Sequence, residues 1–217
     1  MCYSAMQAQA AKNDLQGLGF KWISRDQPNL WKESFFPMDR MALGRLGLNG
    51  EREAVAAQFG LVPPWVTDQR GGPAYAKKWS TYNARSESVF ERASFRGPIL
   101  GQRAVVPVEA FFEVADRLPK PHPRYRVSRP DGKVFWFAAL WDYSPKYDLT
   151  SCAILTVEPM ELLAPFHSRS PVILDAEQMH AWLDPKNNTK DLIEPFLKAH
   201  SSDAFEAKVW TPPPKRR

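Results

Sequence analysis

The sequence predicts an α+β fold in a single domain. Runs rich in β-branched and aromatic residues fill the middle of the 217-residue chain, and helical patterns follow them without the alternation typical of a parallel sheet. No internal repeat and no linker interrupts residues 1–210, so we expect one domain there. A basic, proline-rich tail is expected at 211–217.

The first part of the chain predicts one helix and one strand. A helical pattern covers residues 4–18, where Ser4 can cap the first turn. Residues 19–52 carry scattered aromatics without a clear period and are expected to be irregular. The apolar segment 54–65 predicts a strand that runs into the rigid Pro63-Pro64 turn.

The rest of the chain is rich in strands and ends in helices. Glycine and lysine pairs at 66–81 are typical of a basic surface loop, and Asp131-Gly132 is a hairpin signal between two strands. The expected strands lie at 103–108, 110–115, 124–128, 134–142, 151–157, 170–174 and 205–210. The expected helices lie at 86–92, 175–183 and 189–199, and Pro195 is expected to interrupt the last of them.

Composition and charge exclude several classes of protein. The net charge of +5 permits a polyanionic partner without requiring one, and two cysteines cannot form a disulfide framework. No apolar run reaches the ~18 residues of a membrane span, and the first residues lack a signal peptide, so we expect a cytoplasmic protein without membrane contact. No zinc-ligand spacing and no glycine-rich phosphate loop occurs, so we expect neither a metal nor a cofactor.

Cys2 is the first candidate for chemistry. Removal of Met1 would leave an N-terminal aminothiol whose amine has a pKa of ~7.7–8.0 and is therefore far more often neutral than a lysine. Such an amine attacks aldehydes, and the thiol can then close the imine into a thiazolidine. Two other interpretations stay open: a hydrolytic nucleophile, and a small residue near a frayed terminus. Cys152, in an apolar strand, is expected to be a core residue.

Three further motifs carry candidate site residues. Asn83 and Arg85 precede the short helix, where they either decorate the surface or bind an anion. Glu113 shares a strand face with an aromatic residue, so it lies either at a solvated edge or in a dry site that raises its pKa and makes it a general acid. Among the histidines, His167 alone lies at the entry to a strand, which suits a general acid–base.

These motifs occur in an order that resembles the SRAP family, the SOS response-associated peptidases. The motifs that carry the resemblance are MCYSA at the N-terminus, GLVPPW at 60–65, NARSES at 83–88, AFFEV at 110–114 and FHSRSPVIL at 166–174. The resemblance implies a β-barrel-like core of mixed and antiparallel strands with peripheral helices. It also implies a protein that binds single-stranded DNA at abasic sites and crosslinks to them through a thiazolidine.

The resemblance also implies roles for single residues. Its catalytic set is Cys2, Asn83, Glu113 and His167. The DNA-binding set, partly implied by the resemblance and partly suggested by charge, is Arg85, Trp65, Arg169, Thr156, Lys77 and Lys78. We expect a monomer, associated with the nucleoid if the protein is bacterial. The imine stage would also permit a weak abasic-site lyase activity.

The sequence is also compatible with two other functions. The first is a thiol peptidase, whose activity would include self-removal of Met1 and would turn over peptides without DNA. The second is a non-covalent module that binds single-stranded or modified DNA. In that case binding would not change when Cys2 is lost.

Overall fold

The computed structural model describes residues 4–23, 30–47, 49–67 and 72–211, without the side chain of Pro73. The strands are β1 (Ser4–Gln7), β2 (Lys21–Trp22), β3 (Lys32–Phe35), β4 (Arg40–Leu46), β5 (Arg52–Phe59), β6 (Asn83–Arg85), β7 (Arg103–Val108), β8 (Ala110–Val114), β9 (Arg124–Ser128), β10 (Phe135–Ser144), β11 (Leu149–Val157), β12 (Ser170–Pro171), β13 (Ile173–Leu174) and β14 (Glu206–Val209).

The helices are short. They are α1 (Gln9–Gly17), α2 (Gly72–Trp79), α3 (Pro98–Gly101), α4 (Ala176–Leu183) and α5 (Lys190–Ile193). Single 3₁₀ turns lie at Ser86–Ser88, Pro145–Tyr147, Glu194–Phe196 and Ser202–Ala204. None of the helices in the described ranges is long and apolar enough to cross a membrane.

Five strands close into a barrel. Strands β11, β10, β7, β4 and β5 pair in that order through antiparallel ladders. Strand β5 then returns to β11 in parallel register, with Cys152 opposite Phe59, and this pairing closes the ring. A second, antiparallel sheet has the order β14-β9-β8-β1-β3. The expected α+β domain with a barrel-like core is confirmed.

Alternate residues of the barrel strands face two separate apolar clusters. One cluster joins the barrel to the five-stranded sheet through residues such as Phe35 and Phe111. The other packs the opposite face of the barrel strands against helices, through residues such as Leu15 and Trp182. This alternation is the side-chain period of a β-strand, and it buries both faces of the barrel wall.

Gln7 connects the two sheets. Its buried amide nitrogen donates to the carbonyl oxygens of Ala42, at 2.9 Å, and Pro107, at 3.0 Å, while its oxygen accepts from the Ala42 N–H at 2.9 Å. Strand β1 is thus joined by side-chain hydrogen bonds to β4 and β7, besides its pairing with β3 and β8. Strand β1 is therefore hydrogen-bonded to four other strands.

The helix predicted to begin at residue 4 is wrong at its start, because these hydrogen bonds hold the first residues in a strand. Residues 4–7 form strand β1, and the helix begins only at Gln9. Alanine and glutamine favour a helix, but a strand between two others satisfies its backbone groups on both edges, and this tertiary context overrides a propensity of a few tenths of a kcal/mol per residue.

Two segments expected to lack regular structure are folded. Residues 19–52 contain β2, β3 and β4, and β4 pairs along its whole length with β5. The basic loop expected at 66–81 contains helix α2, whose small residue Ala76 packs against Val62 and Val66. In both segments the pattern is short, and long-range pairing or packing decides the structure.

The Asp131-Gly132 hairpin is also wrong. Gly132 has a φ of +69° and forms a turn, but the strands on either side of it, β9 and β10, belong to different sheets. The dipeptide predicts the local turn correctly because glycine adopts positive φ without strain. It cannot predict which strands pair.

The remaining elements follow the sequence closely. The strands at 103–108, 124–128 and 151–157 are confirmed, and so is the helix after Asp175, whose side chain accepts from the Gln178 N–H at 2.7 Å. Other elements shift by one to three residues at their ends, and β5 ends before the proline turn.

Three expected elements are shorter or broken. The helix at 86–92 is reduced to a 3₁₀ turn. The interruption expected at Pro195, which lacks a backbone donor, is confirmed, because the α-helix stops after Ile193 and a 3₁₀ turn follows at Glu194–Phe196. The strand at 170–174 is split into β12 and β13, which pair with different neighbours.

A buried arginine holds the ends of two helices. Arg103 donates to the carbonyl oxygens of Ile99 and Leu100 in α3, and to those of Trp182 and Asp184 at the end of α4, at distances from 2.6 to 3.0 Å. Burial lowers the pKa of its guanidinium. A cation at helix C-termini also complements the helix dipoles.

We expect Arg103→Met to lower the free energy of unfolding by about 3 to 5 kcal/mol, because it leaves several buried carbonyl groups without a donor. Arg103→Lys keeps the charge but loses the planar fork, so its free energy of unfolding should lie between those of the wild type and Arg103→Met. Urea denaturation measures the effect, and the exposed Arg96→Met is the matched control. If Arg103→Met unfolds like that control, the bonding role is wrong.

Candidate active site

A buried carboxyl and a buried imidazole meet where β8 approaches the segment before β12. Oε2 of Glu113 lies 3.4 Å from Nε2 of His167, and the two residues are 2% and 4% exposed. Glu113 therefore occupies the dry site, which was one of the two environments open to it from its place in a strand. Both residues belong to the predicted catalytic set.

Aromatic stacking and backbone bonds bring these two residues together. Tyr125 of β9 lies directly across from Glu113, and its ring stacks on Phe166 with centroids 4.2 Å apart and planes 18° apart. The Arg117 N–H, just past β8, donates to the Phe166 carbonyl at 3.3 Å. His167 follows Phe166 directly, so these contacts hold it against β8.

Burial sets the protonation of the pair. It raises the pKa of Glu113 to about 8, and the Asp116 carboxylate acts in the same direction. Burial also lowers the pKa of His167, although a hydrogen bond to the Arg169 backbone opposes this. At neutral pH the pair is therefore a protonated acid beside a neutral imidazole, rather than an ion pair. A proton donor and a proton acceptor stand side by side.

The backbone of Arg169 orients the imidazole. Nδ1 of His167 lies 2.9 Å from the Arg169 carbonyl oxygen. A neutral ring that donates its Nδ1–H to this carbonyl presents the lone pair of Nε2 toward Glu113. This tautomer suits a residue that receives a proton from the carboxyl group and returns it.

The second group of predicted residues lies on β6 and β11. The two strands are parallel neighbours, with Asn83 opposite Ile154 and Arg85 opposite Thr156. Asn83 is buried and Arg85 is exposed, and both line a cavity of about 410 Å³. An amide and a guanidinium therefore open onto one concave surface.

Arg169 joins the two groups through side-chain bonds. Its Nη2 donates to the Thr156 carbonyl oxygen at 2.7 Å and to Glu87 at 2.9 Å, and its Nη1 donates to the other Glu87 oxygen. These bonds lower the pKa of Glu87. A continuous chain of contacts thus runs between the two groups. Its members, in order, are Arg85, Thr156, Arg169, His167 and Glu113.

Glu87 was not among the residues predicted from sequence. It lies in the NARSES motif, two positions after Arg85, and an acidic residue in a motif expected to bind phosphate was the available signal. Its ion pair with Arg169 means that a phosphate must compete with a carboxylate for that guanidinium. Tyr75, Trp79 and Arg92, which line the same cavity as Asn83, were missed as well. Tyr75 and Trp79 are four residues apart, as on one face of a helix, but residues 66–81 were predicted to be a loop.

The other predicted DNA contacts lie apart from the buried pair. Trp65 is 53% exposed in the turn after the two prolines, and Lys77 and Lys78 are exposed in the last turn of α2. In the part of the chain that the structure describes, no hydrogen bond or ion pair joins them to Glu113 or His167. Their positions suit contacts with a ligand that extends across the surface.

Of the predictions made for the two cysteines, the structure tests only the one for Cys152. Cys2 lies outside the described residues. Cys152 is confirmed as a core residue of β11, and burial raises the pKa of its thiol, which makes it a poor nucleophile. Within the described ranges, no group of three or more His, Cys, Asp or Glu side chains is arranged to hold a metal ion.

The match to a known family covers almost the whole chain. The family model described as SOS response associated peptidase (SRAP) matches residues 1–211. Solved structures with the same fold include a Bacteroides thetaiotaomicron protein, with a TM-score of 0.83, 23% identity and coverage of 96% of this chain and 91% of that chain. A Bordetella bronchiseptica protein gives a TM-score of 0.80 at 24% identity, covering 97% of this chain and 100% of that chain.

Curated relatives share the sequence pattern. The abasic site processing protein YoqW of Bacillus subtilis is 34% identical over 153 residues, which are 69% of this chain and 66% of that protein. The abasic site processing protein YMR114C of Saccharomyces cerevisiae is 29% identical over 191 residues, 86% of this chain and 50% of that protein. The matches span less than two thirds of these relatives. With the family model matched over residues 1–211 and the motifs in order, the chain belongs to the SRAP family.

Proposed function

We propose that this protein binds single-stranded DNA at abasic sites and forms a covalent crosslink through Cys2. The observation that carries the proposal is the buried, neutral Glu113–His167 pair, 3.4 Å apart, a donor and an acceptor of protons in one dry site. The names of the curated relatives, which are abasic site processing proteins, support the choice of lesion.

The position of β1 supports a role for Cys2 beside that pair. Ser4, the first residue of β1, pairs with Phe112, the residue before Glu113. Cys2 precedes Ser4 by two residues, and two peptide units span at most about 7 Å. This short separation along the chain is compatible with the proposed reaction, in which Cys2 must reach the site of Glu113.

The chemistry balances without an external reagent. Glu113 delivers its proton to the ring oxygen of the abasic sugar while the anomeric hydroxyl gives its proton to His167, and the ring opens to the aldehyde. The Cys2 amine attacks that carbon, His167 moves protons through the carbinolamine, and one water leaves as the C=N bond forms. The thiol sulfur then adds to the imine carbon, and its proton passes to nitrogen. The net change is the loss of one water, with no oxidation or reduction.

The remaining residues bind and orient the strand. Asn83 orients the sugar or the amine, and Arg85 binds a phosphate next to the lesion. Arg169 binds a second phosphate by exchanging it for Glu87, while Thr156 holds the guanidinium through its carbonyl oxygen. Trp65, Lys77 and Lys78 extend the contact surface. One chain supplies all of these groups, so a monomer suffices.

Cys2 is the residue on which the crosslink depends. We expect Cys2→Ala to abolish the heat-stable adduct with an abasic single-stranded oligonucleotide, because neither the thiol nor a ring closure remains. Cys2→Ser keeps an amine that forms an imine, so it should give an adduct that survives only after borohydride reduction. Denaturing gels and mass analysis of the N-terminal peptide measure both. The control is Cys152→Ala, which should crosslink like the wild type, and a heat-stable adduct with Cys2→Ala would refute the mechanism.

Glu113 should set the upper limit of the pH profile. Its pKa of about 8 keeps it protonated at lower pH, so the wild-type crosslinking rate should fall as the pH rises above about 8 and the acid is lost. Glu113→Gln should be slower by about 100-fold or more and should lack this alkaline fall. Single-turnover rates from pH 6 to about 10 measure it, with the exposed Glu91→Gln as control. An unchanged alkaline fall in Glu113→Gln assigns the titration to another group.

The same residues can remove Met1. In this step, which the family name also suggests, the Cys2 thiol gives its proton to His167 and attacks the Met1 carbonyl carbon. Glu113 protonates the Cys2 amine as the peptide bond breaks, and water hydrolyses the resulting thioester, which releases methionine and restores the thiol. We expect Glu113→Gln, produced in a host without methionine aminopeptidase, to retain Met1 in intact-mass analysis. Full loss of Met1 from that variant would rule out self-processing.

A weak lyase activity, by β-elimination from the imine, belongs to the same proposal and predicts strand cleavage by Cys2→Ser.

A further inference from the structure

The cavity beside Arg85 extends well past the residues that the crosslinking chemistry uses. It measures about 410 Å³ and lies between helix α2 and the chain that follows β6. A volume of this size is in the range of cavities that bind small organic groups. Asn83 and Arg85 line this cavity. Tyr75, Trp79 and Arg92 line it as well.

Two aromatic rings of α2 face this cavity. Tyr75 and Trp79 are one helical turn apart, with ring centroids 6.3 Å apart. The hydroxyl group of Tyr75 is hydrogen-bonded to Oγ of Ser94, 3.0 Å away, which ties α2 to the opposite wall. Trp79 is 61% exposed. A large ring exposed at the mouth of a cavity, on a helix that is held in place, is a surface for a ligand to stack on.

The charges around these rings are positive and available. In the described part of the chain, no carboxylate forms an ion pair with Arg85 or Arg92, in contrast to Arg169, which is bound to Glu87. The ammonium group of Lys78 lies 5.2 Å from the centroid of the Trp79 ring. An exposed aromatic ring among cations without ion pairs suits single-stranded nucleic acid, since every base has a stacking face and every nucleotide a phosphate.

We propose that this cavity binds a nucleobase of single-stranded DNA, stacked on Trp79, with the adjoining phosphate on Arg92. The base belongs to an intact nucleotide, not to the lesion. Its place next to the abasic nucleotide rests on the proposed function, because Arg85 is shared between the two sites. Binding of an undamaged strand at Trp79 and Arg92 does not depend on the crosslink.

The experiment measures the affinity for a short, undamaged, fluorescein-labelled oligothymidylate by anisotropy. Trp79→Ala should weaken binding by about 5- to 100-fold, and Trp79→Phe should recover most of that loss because it keeps a ring. Arg92→Gln should weaken binding and lower the slope of log affinity against log salt by about one. Tyr143→Ala and Lys186→Gln, an exposed aromatic and an exposed cation outside the cavity, should bind like the wild type.

The results separate this proposal from the previous one. If Trp79→Ala and Arg92→Gln, folded by circular dichroism, bind the strand like the wild type, the cavity is not a nucleobase site, whatever the crosslinking assay gives. If they bind weakly while the wild type fails to crosslink an abasic strand, the nucleobase site stands and the crosslinking proposal falls. Should Trp79→Ala not fold, Trp79→Leu and Arg92→Gln decide the question, and wild-type affinity in both overturns the proposal.

Discussion

The amide side chain of Gln7 is the contact on which the geometry of the candidate site depends. It is a buried polar group, which costs free energy unless it is hydrogen-bonded, and here three bonds to β4 and β7 satisfy it. These bonds accompany the register in which Ser4 of β1 pairs with Phe112 of β8. Residues 4–7 are therefore held beside the strand that carries Glu113, although their alanine and glutamine residues do not predict a strand.

Exclusion of water gives that neighbourhood its chemistry. A solvated glutamate would be ionised at neutral pH and unable to donate a proton, and a solvated histidine would be partly charged. Burial reverses the first tendency and suppresses the second, so that Glu113 and His167 are both neutral. The Tyr125–Phe166 stack contributes by holding Phe166, the residue before His167, against β9. Apolar packing, rather than charge pairing, thus creates the donor and acceptor.

The sequence predicted the fold class, and it named candidate residues without predicting the contacts between them. Strands such as 103–108 follow from β-branched residues, which suit a pleated surface in any context. Strand β1 and helix α2 were missed because partners far along the chain decide them. Glu113 and His167 were singled out by type and motif, but their contact, and with it the raised pKa, depends on folding. The Glu87–Arg169 pair, which joins residues 82 positions apart, has no local signal at all.

The cations therefore have unequal roles, which the net charge of +5 conceals. Arg103 is buried on helix carbonyls and contributes to stability, and Arg169 is engaged by Glu87 and positions His167 through its backbone. Arg85 and Arg92, exposed on one cavity, are the charges that an incoming phosphate can meet without first displacing a carboxylate. In the proposed function, an anionic strand gains affinity at this cavity before it reaches Arg169. Exchange of Glu87 for phosphate then comes late, next to His167, the residue proposed to move the protons.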